Sequence, residues 1–194
     1  MTKKVAVECQ ETAHRLAKLG KDTWRLGWMF GPDRVEGRTA HGVGDERVYA
    51  AGLVIEIAGD VAESAVMLMQ TGHTYTAQAL TRNLIECEYL LAYFAEKPEA
   101  AREWLNTDDD ERRAYWTPQK LRNRMPGLFR DTEYWRHSNS SHPTPWALMF
   151  LTDHATAIPT KDDWKELQLH LRRVAERADN LVQVLGIDGI VRRS

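Results

Sequence analysis

Apolar positions recur at intervals of three and four along most of the chain, the period of an amphipathic helix, and no stretch alternates as a half-buried strand would. Residues 3 to 19 carry Val5, Cys9, Thr12, Leu16 and Leu19 on one face, and Gly20 reads as the stop. A second helix is expected over 46 to 71, with Val48, Ala51, Ile55, Ala58, Ala62, Val66 and Met69 on its stripe and Gly72 after it. Its Gly52 and Gly59 would let a neighbouring helix come close. A third runs from 74 to 96, and Pro98 then opens a short helix as a first-turn proline should.

The last helix has the strongest pattern. Thr160 is its cap and Asp162 and Asp163 suit its positive end. Trp164, Leu167, Leu171, Val174, Ala178, Leu181 and Leu185 then alternate steps of three and four up to Gly186, which calls for a long partner helix, within the chain or in a dimer. All seven prolines lie outside the long periodic stretches, as expected if proline inside a helix costs about 3 kcal/mol. Thr117-Pro118 marks another helix start, and Asp131 a cap for one carrying Tyr134, Trp135 and Arg136. Residues 20 to 46 fit no helix template. Trp24, Trp28, Met29 and Phe30 there precede a run with Gly31, Gly37, Gly42 and Gly44, read as a lid, an oligomer contact or a hairpin. The expectation is an all-α single domain over residues 1–194: a bundle of about three long and several short helices, with a broken segment from 106 to 159 lying across it.

Composition fits a soluble globular chain: 194 residues, 43% hydrophobic and 28% charged. No apolar run approaches the ~18 residues of a membrane span. The opening Met-Thr-Lys-Lys-Val-Ala-Val-Glu meets a glutamate before a signal-peptide core could form, so a cytoplasmic location is expected. Cys9 and Cys87 both fall on apolar faces and read as buried free thiols. A net charge of −2 argues against a generally cationic nucleic-acid binder, but the charge is uneven. Asp108-Asp109-Asp110-Glu111 is acidic, whereas Lys120, Arg122, Arg124, Arg130 and Arg136 form a basic excess that reads either as a solvated face or as a polyanion contact.

The densest chemistry follows that excess. Residues 134 to 146 read Tyr-Trp-Arg-His-Ser-Asn-Ser-Ser-His-Pro-Thr-Pro-Trp. Histidine moves protons near neutral pH and arginine clamps phosphate or carboxylate with paired hydrogen bonds. Arg136 and His142 together suit phosphodiester cleavage, the guanidinium stabilising the charge that develops. On an ideal helix they stand about 120° and about 9 Å apart, and Pro143 biases His142 out of helical geometry. A site built on them needs completing from elsewhere, and Arg82 with Glu86, four apart on the third helix, can do it with Tyr89 and Tyr93 continuing the face. The competing reading is that Ser138, Asn139, Ser140 and Ser141 merely terminate a helix while Trp135 and Trp146 pack down.

A ferritin-like metal site would need two Glu-x-x-His motifs and two more glutamates. The chain has one, Glu11 to His14, and a misspaced Glu166-Leu-Gln-Leu-His170, with Glu56, Asp60 and Glu63 as further carboxylates. Neither a metal nor another cofactor is expected.

The run Ala77-Gln-Ala-Leu-Thr-Arg82-Asn-Leu-Ile-Glu86-Cys-Glu-Tyr-Leu-Leu-Ala-Tyr-Phe, then Lys97-Pro98, Arg102-Glu-Trp104 and finally Tyr134-x-x-x-Ser138-x-x-x-His142, resembles a family of uncharacterised bacterial helical proteins over roughly residues 47 to 185. More remotely the chain looks like the HEPN helical domains, many of them metal-independent ribonucleases of defence and toxin–antitoxin systems. Their arginine is followed by a histidine after four to six residues, often at a dimer interface. Arg136 and His142 match that spacing, with His137 standing where the family often has Asn or Asp. The resemblance implies an endoribonuclease in stress or phage response, with RNA and a second copy of the chain as partners. In it His142 is the general acid or base, Arg136 the phosphate clamp, and Arg82, Glu86 and Ser138 orient them. The alternatives are a non-catalytic helical binding or assembly protein, in which Trp24, Trp28, Trp135 and Trp146 floor a groove, and a small-molecule enzyme whose His and Glu work in a pocket lined by Tyr89, Trp135 and Trp146.

Overall fold

Among the residues described by a computed structural model (2–31, 44–129, 134, 135, 137 and 159–191), eight helices and no strand occur, as the all-α pattern requires. They are α1 (Thr2–Met29), α2 (Glu46–Gln70), α3 (Thr74–Glu96), α4 (Glu99–Leu105), α5 (Asp109–Tyr115), α6 (Pro118–Arg124), α7 (Lys161–Val184) and α8 (Asp188–Val191). The long helices number four. Each packs on the next around a ring, α1 on α2, α2 on α3, α3 on α7 and α7 back on α1.

The first boundary differs from the sequence expectation. Gly20 does not end α1, which continues through Trp24 and Trp28 to Met29, so the supposedly irregular 20–46 segment is helical over its first ten residues. The reason lies across the interface. A Cβ on Gly20 would stand 2.2 Å from the backbone nitrogen of Glu56, and one on Gly27 would stand 2.4 Å from that of Tyr49. From the other side, Gly52 lies against the Trp24 backbone and Gly59 against that of Ala17. Each step forward on α1 is matched by one step back on α2, so the pair is antiparallel with glycine from either helix at the contacts. These glycines trade helix propensity for close approach of two backbones.

At the far end of α1, Gly31 adopts a φ of +140° and its backbone meets that of Gly44. The amide of Asp45 donates to the Gly27 carbonyl at 2.8 Å, and the Asp45 carboxylate caps α2 through the amides of Arg47 and Val48. Gly72, at φ +82°, reverses the chain between α2 and α3.

The short helices start where side-chain chemistry places them. Asp108 and Glu111 form a reciprocal capping box on α5, so much of the acidic knot is a helix start. Thr117 caps α6 with Pro118 in the first turn. Thr160 and Asp163 form a second capping box on α7. The seven-residue stripe of α7 is buried from Trp164 to Leu181 against its neighbours in the ring, so its partner helices belong to the same chain. One core of buried residues unites the long helices and holds both free cysteines. No described helix is long and apolar enough to cross a membrane.

Candidate functional site

The Arg82–Glu86 pair spans one turn of α3, with Arg82 Nε donating to Glu86 Oε1 at 3.0 Å. Both side chains are half-buried. The cover over them is Tyr134, only 7% exposed, whose hydroxyl donates to the same Glu86 oxygen at 3.4 Å. The Arg82 guanidinium carbon lies 5.5 Å from the centre of the Tyr134 ring, and that of Arg122, arriving from α6, lies 4.4 Å from it. Two cations thus meet the π-cloud of one phenol. Behind it Tyr89 stacks on Phe129 at 4.0 Å and on Tyr134 at 6.1 Å.

Burial, and then the Glu86 charge, push the Tyr134 phenol above its usual range, outweighing the pull of Arg82. Tyr134 is therefore a hydroxyl donor to Glu86 near neutral pH and no phenolate base. The Arg82 guanidinium gives up hydration on burial, yet Tyr134 and Glu86 more than offset that and hold its proton more tightly than usual.

Residues 134, 135 and 137 are helical. Their turn spans two elements, because Tyr134 and His137 are three apart and share a face. Tyr134 docks on α3 and α6, while His137 reaches α7. There His137 Nε2 lies 3.2 Å from Glu166 Oε1, and its ring meets that of His170 edge to face, with centroids 4.9 Å apart. Both imidazoles are buried, at 2% and 1% exposure, and Glu166 approaches from the partly exposed rim. The donor atoms of His137, Glu166 and His170 all lie within 4.8 Å of one another.

The structure thus brings Arg82, Glu86, Tyr89 and Tyr134 together. Tyr89 is only 2% exposed and is a member of the core, so it does not line an open pocket. Trp135 is 57% exposed beside Tyr134. Trp24 and Trp28 pack on Tyr49 of α2. Arg136, Ser138, His142 and Trp146 lie outside the described residues, as do the Asp131 cap and residues 32–43.

The basic run before the segment is only partly a solvated face. Lys120 is exposed, but Arg122 is 9% exposed against Tyr134, and Arg124 lies over Tyr93, Tyr115 and Trp116 at 5.5 to 6.0 Å. Arg124 and those rings border an open groove of about 560 Å³ that also includes Glu103, Asn106 and Glu111.

Sequence reasoning did not join His137 to Glu166 and His170. The four-residue spacing on α7 was a usable signal, since it puts Glu166 and His170 on one face. That spacing departs from a Glu-x-x-His motif, and nothing in it says that His137 lands opposite. No family model, curated protein or solved structure matches the chain.

Proposed function

We propose that the protein is an HEPN-like helical domain that cleaves RNA without a metal ion in a bacterial stress or phage response. His142 moves the proton, Arg136 clamps the scissile phosphate, and Arg82, Glu86 and Ser138 orient them. The observation that carries this reading is the docking of Tyr134 onto Arg82, Glu86 and Arg122. Tyr134 stands two residues before Arg136 and eight before His142 in sequence, and the cluster it meets holds, among the described residues, two guanidiniums and one carboxylate. Such a cluster favours a polyanion nearby.

The test is incubation of the purified chain with single-stranded and structured RNAs in the presence of a chelator. Cleavage is expected, and His142→Ala should slow it by about 100-fold or more, the usual share of a general acid or base. Intact RNAs, or a His142→Ala protein as active as the wild type, would sink the reading.

A second reading rests on the same cluster. The Tyr134 hydroxyl is held by Glu86 and its ring by two arginines, as in a self-satisfied junction of a binding or assembly protein. That reading gains if the RNAs stay intact while Arg82→Ala lowers the melting temperature.

A further inference from the structure

We propose that His137, Glu166 and His170 form a binding site for one divalent transition-metal ion of the zinc class. The proposal is independent of the RNA reading. It rests on three donor groups brought from two parts of the chain into one small volume.

The donor set selects the ion. Two imidazoles and one carboxylate suit zinc and its neighbours Co²⁺ and Fe²⁺, whereas Mg²⁺ and Ca²⁺ prefer all-oxygen shells. With metal–ligand bonds of about 2.0–2.2 Å, tetrahedral ligands stand roughly 3.3 Å apart. The 3.2 Å separation between His137 Nε2 and Glu166 Oε1 already has that value. The remaining separations fall within 4.8 Å, so a side-chain adjustment of an ångström or so brings all three donors onto one ion. The T-shaped arrangement of the two rings, with planes at 89°, keeps them from stacking face to face and lets each turn an edge toward a common point.

Placement adds to this. Glu166 and His170 are one turn apart on α7, a capped 24-residue helix that fixes both bases of the site. Buried imidazoles surround an ion with low dielectric, and the partly exposed Glu166 gives it a route in from solvent. Three protein ligands leave at least one coordination position for water or a ligand atom. The ion would clip the Tyr134–His137 turn to α7, just as Tyr134 fastens it to α3.

The experiment uses untagged full-length chain, stripped with a chelator and titrated with Zn²⁺ and Co²⁺ near pH 7.5. One tightly bound equivalent is expected, with visible ligand-field absorption for Co²⁺ and a higher melting temperature with Zn²⁺. Glu166→Gln, at a partly exposed position, and His170→Ala should each weaken binding about tenfold or more, while His14→Ala, which removes the exposed imidazole beside Glu63, should leave it unchanged. Absence of both the Co²⁺ absorption and the thermal shift would overturn the proposal and leave a His–Glu ion pair. Binding that survives Glu166→Gln, or that is lost in His14→Ala, would overturn it equally. Should His170→Ala fail to fold, Glu166→Gln decides.

Discussion

The guanidinium of Arg122 lies against the Tyr134 ring, and that of Arg124 among three aromatic rings. A run of arginines in sequence has one charge pattern whether it faces water or rings, because arginine is planar and weakly hydrated enough for either. Asp45 is more legible, since an aspartate just before a periodic run is a cap by its chemistry. Burial works against its charged form, but Arg47 and two backbone amides hold its carboxyl below the usual aspartate value. A lowered folded-state pKa stabilises the fold above the unfolded value of 3.8, and that stability is lost as pH falls through it toward the folded value. Asp45→Ala should therefore cost about 1 kcal/mol at pH 7. The deficit relative to wild type should shrink below about pH 4 as the native carboxyl protonates. Urea melts of both proteins at pH 7 and pH 3 check this, and a deficit unchanged at pH 3 would contradict it.

At the scale of elements, the seam between α1 and α2 reverses an ordinary rule. In an exposed helix, Gly→Ala gains about 1 kcal/mol of propensity. At Gly52 the new methyl would stand 2.2 Å from the Trp24 backbone nitrogen, and at Gly59 2.3 Å from that of Ala17. Backbone cannot rotate aside as a side chain can, so the helices must separate. Overpacking of this kind costs about 1–3 kcal/mol. Gly52→Ala and Gly59→Ala are each expected to lower stability by up to about 2 kcal/mol net, measured by chemical denaturation, and a stabilised variant would show that the seam is looser than described. The sequence made Gly52 and Gly59 readable as contact positions because they sit inside a long apolar period. It misrepresented Gly20, because a glycine at the end of one apolar stripe looks the same whether it terminates a helix or admits a neighbour. Thr160, Thr117 and Pro98 were legible since caps and first-turn prolines act within a few residues of themselves.

Across the whole molecule, the four long helices share one core, and its two cysteines report on it from α1 and α3. Burial pushes both thiols up to about 12, so each is almost wholly protonated near pH 8. Neither should react with a thiol reagent in native protein. If the ring of helices unfolds as one unit, Cys9 and Cys87 should become reactive over the same range of denaturant, and mass spectrometry of labelled peptides resolves the two. Reaction of Cys9 well before Cys87 would show α1 leaving the bundle separately. The all-α class, the ends of α3, the capped stripe of α7 and the burial of both thiols followed from sequence alone, because period, capping and apolar content are local properties. The length of α1, the side-by-side fit of four helices, the enclosure of Arg122 and the convergence of His137 on Glu166 and His170 did not. Each depends on what stands opposite a residue, and residues more than about four positions apart meet only when the helices pack.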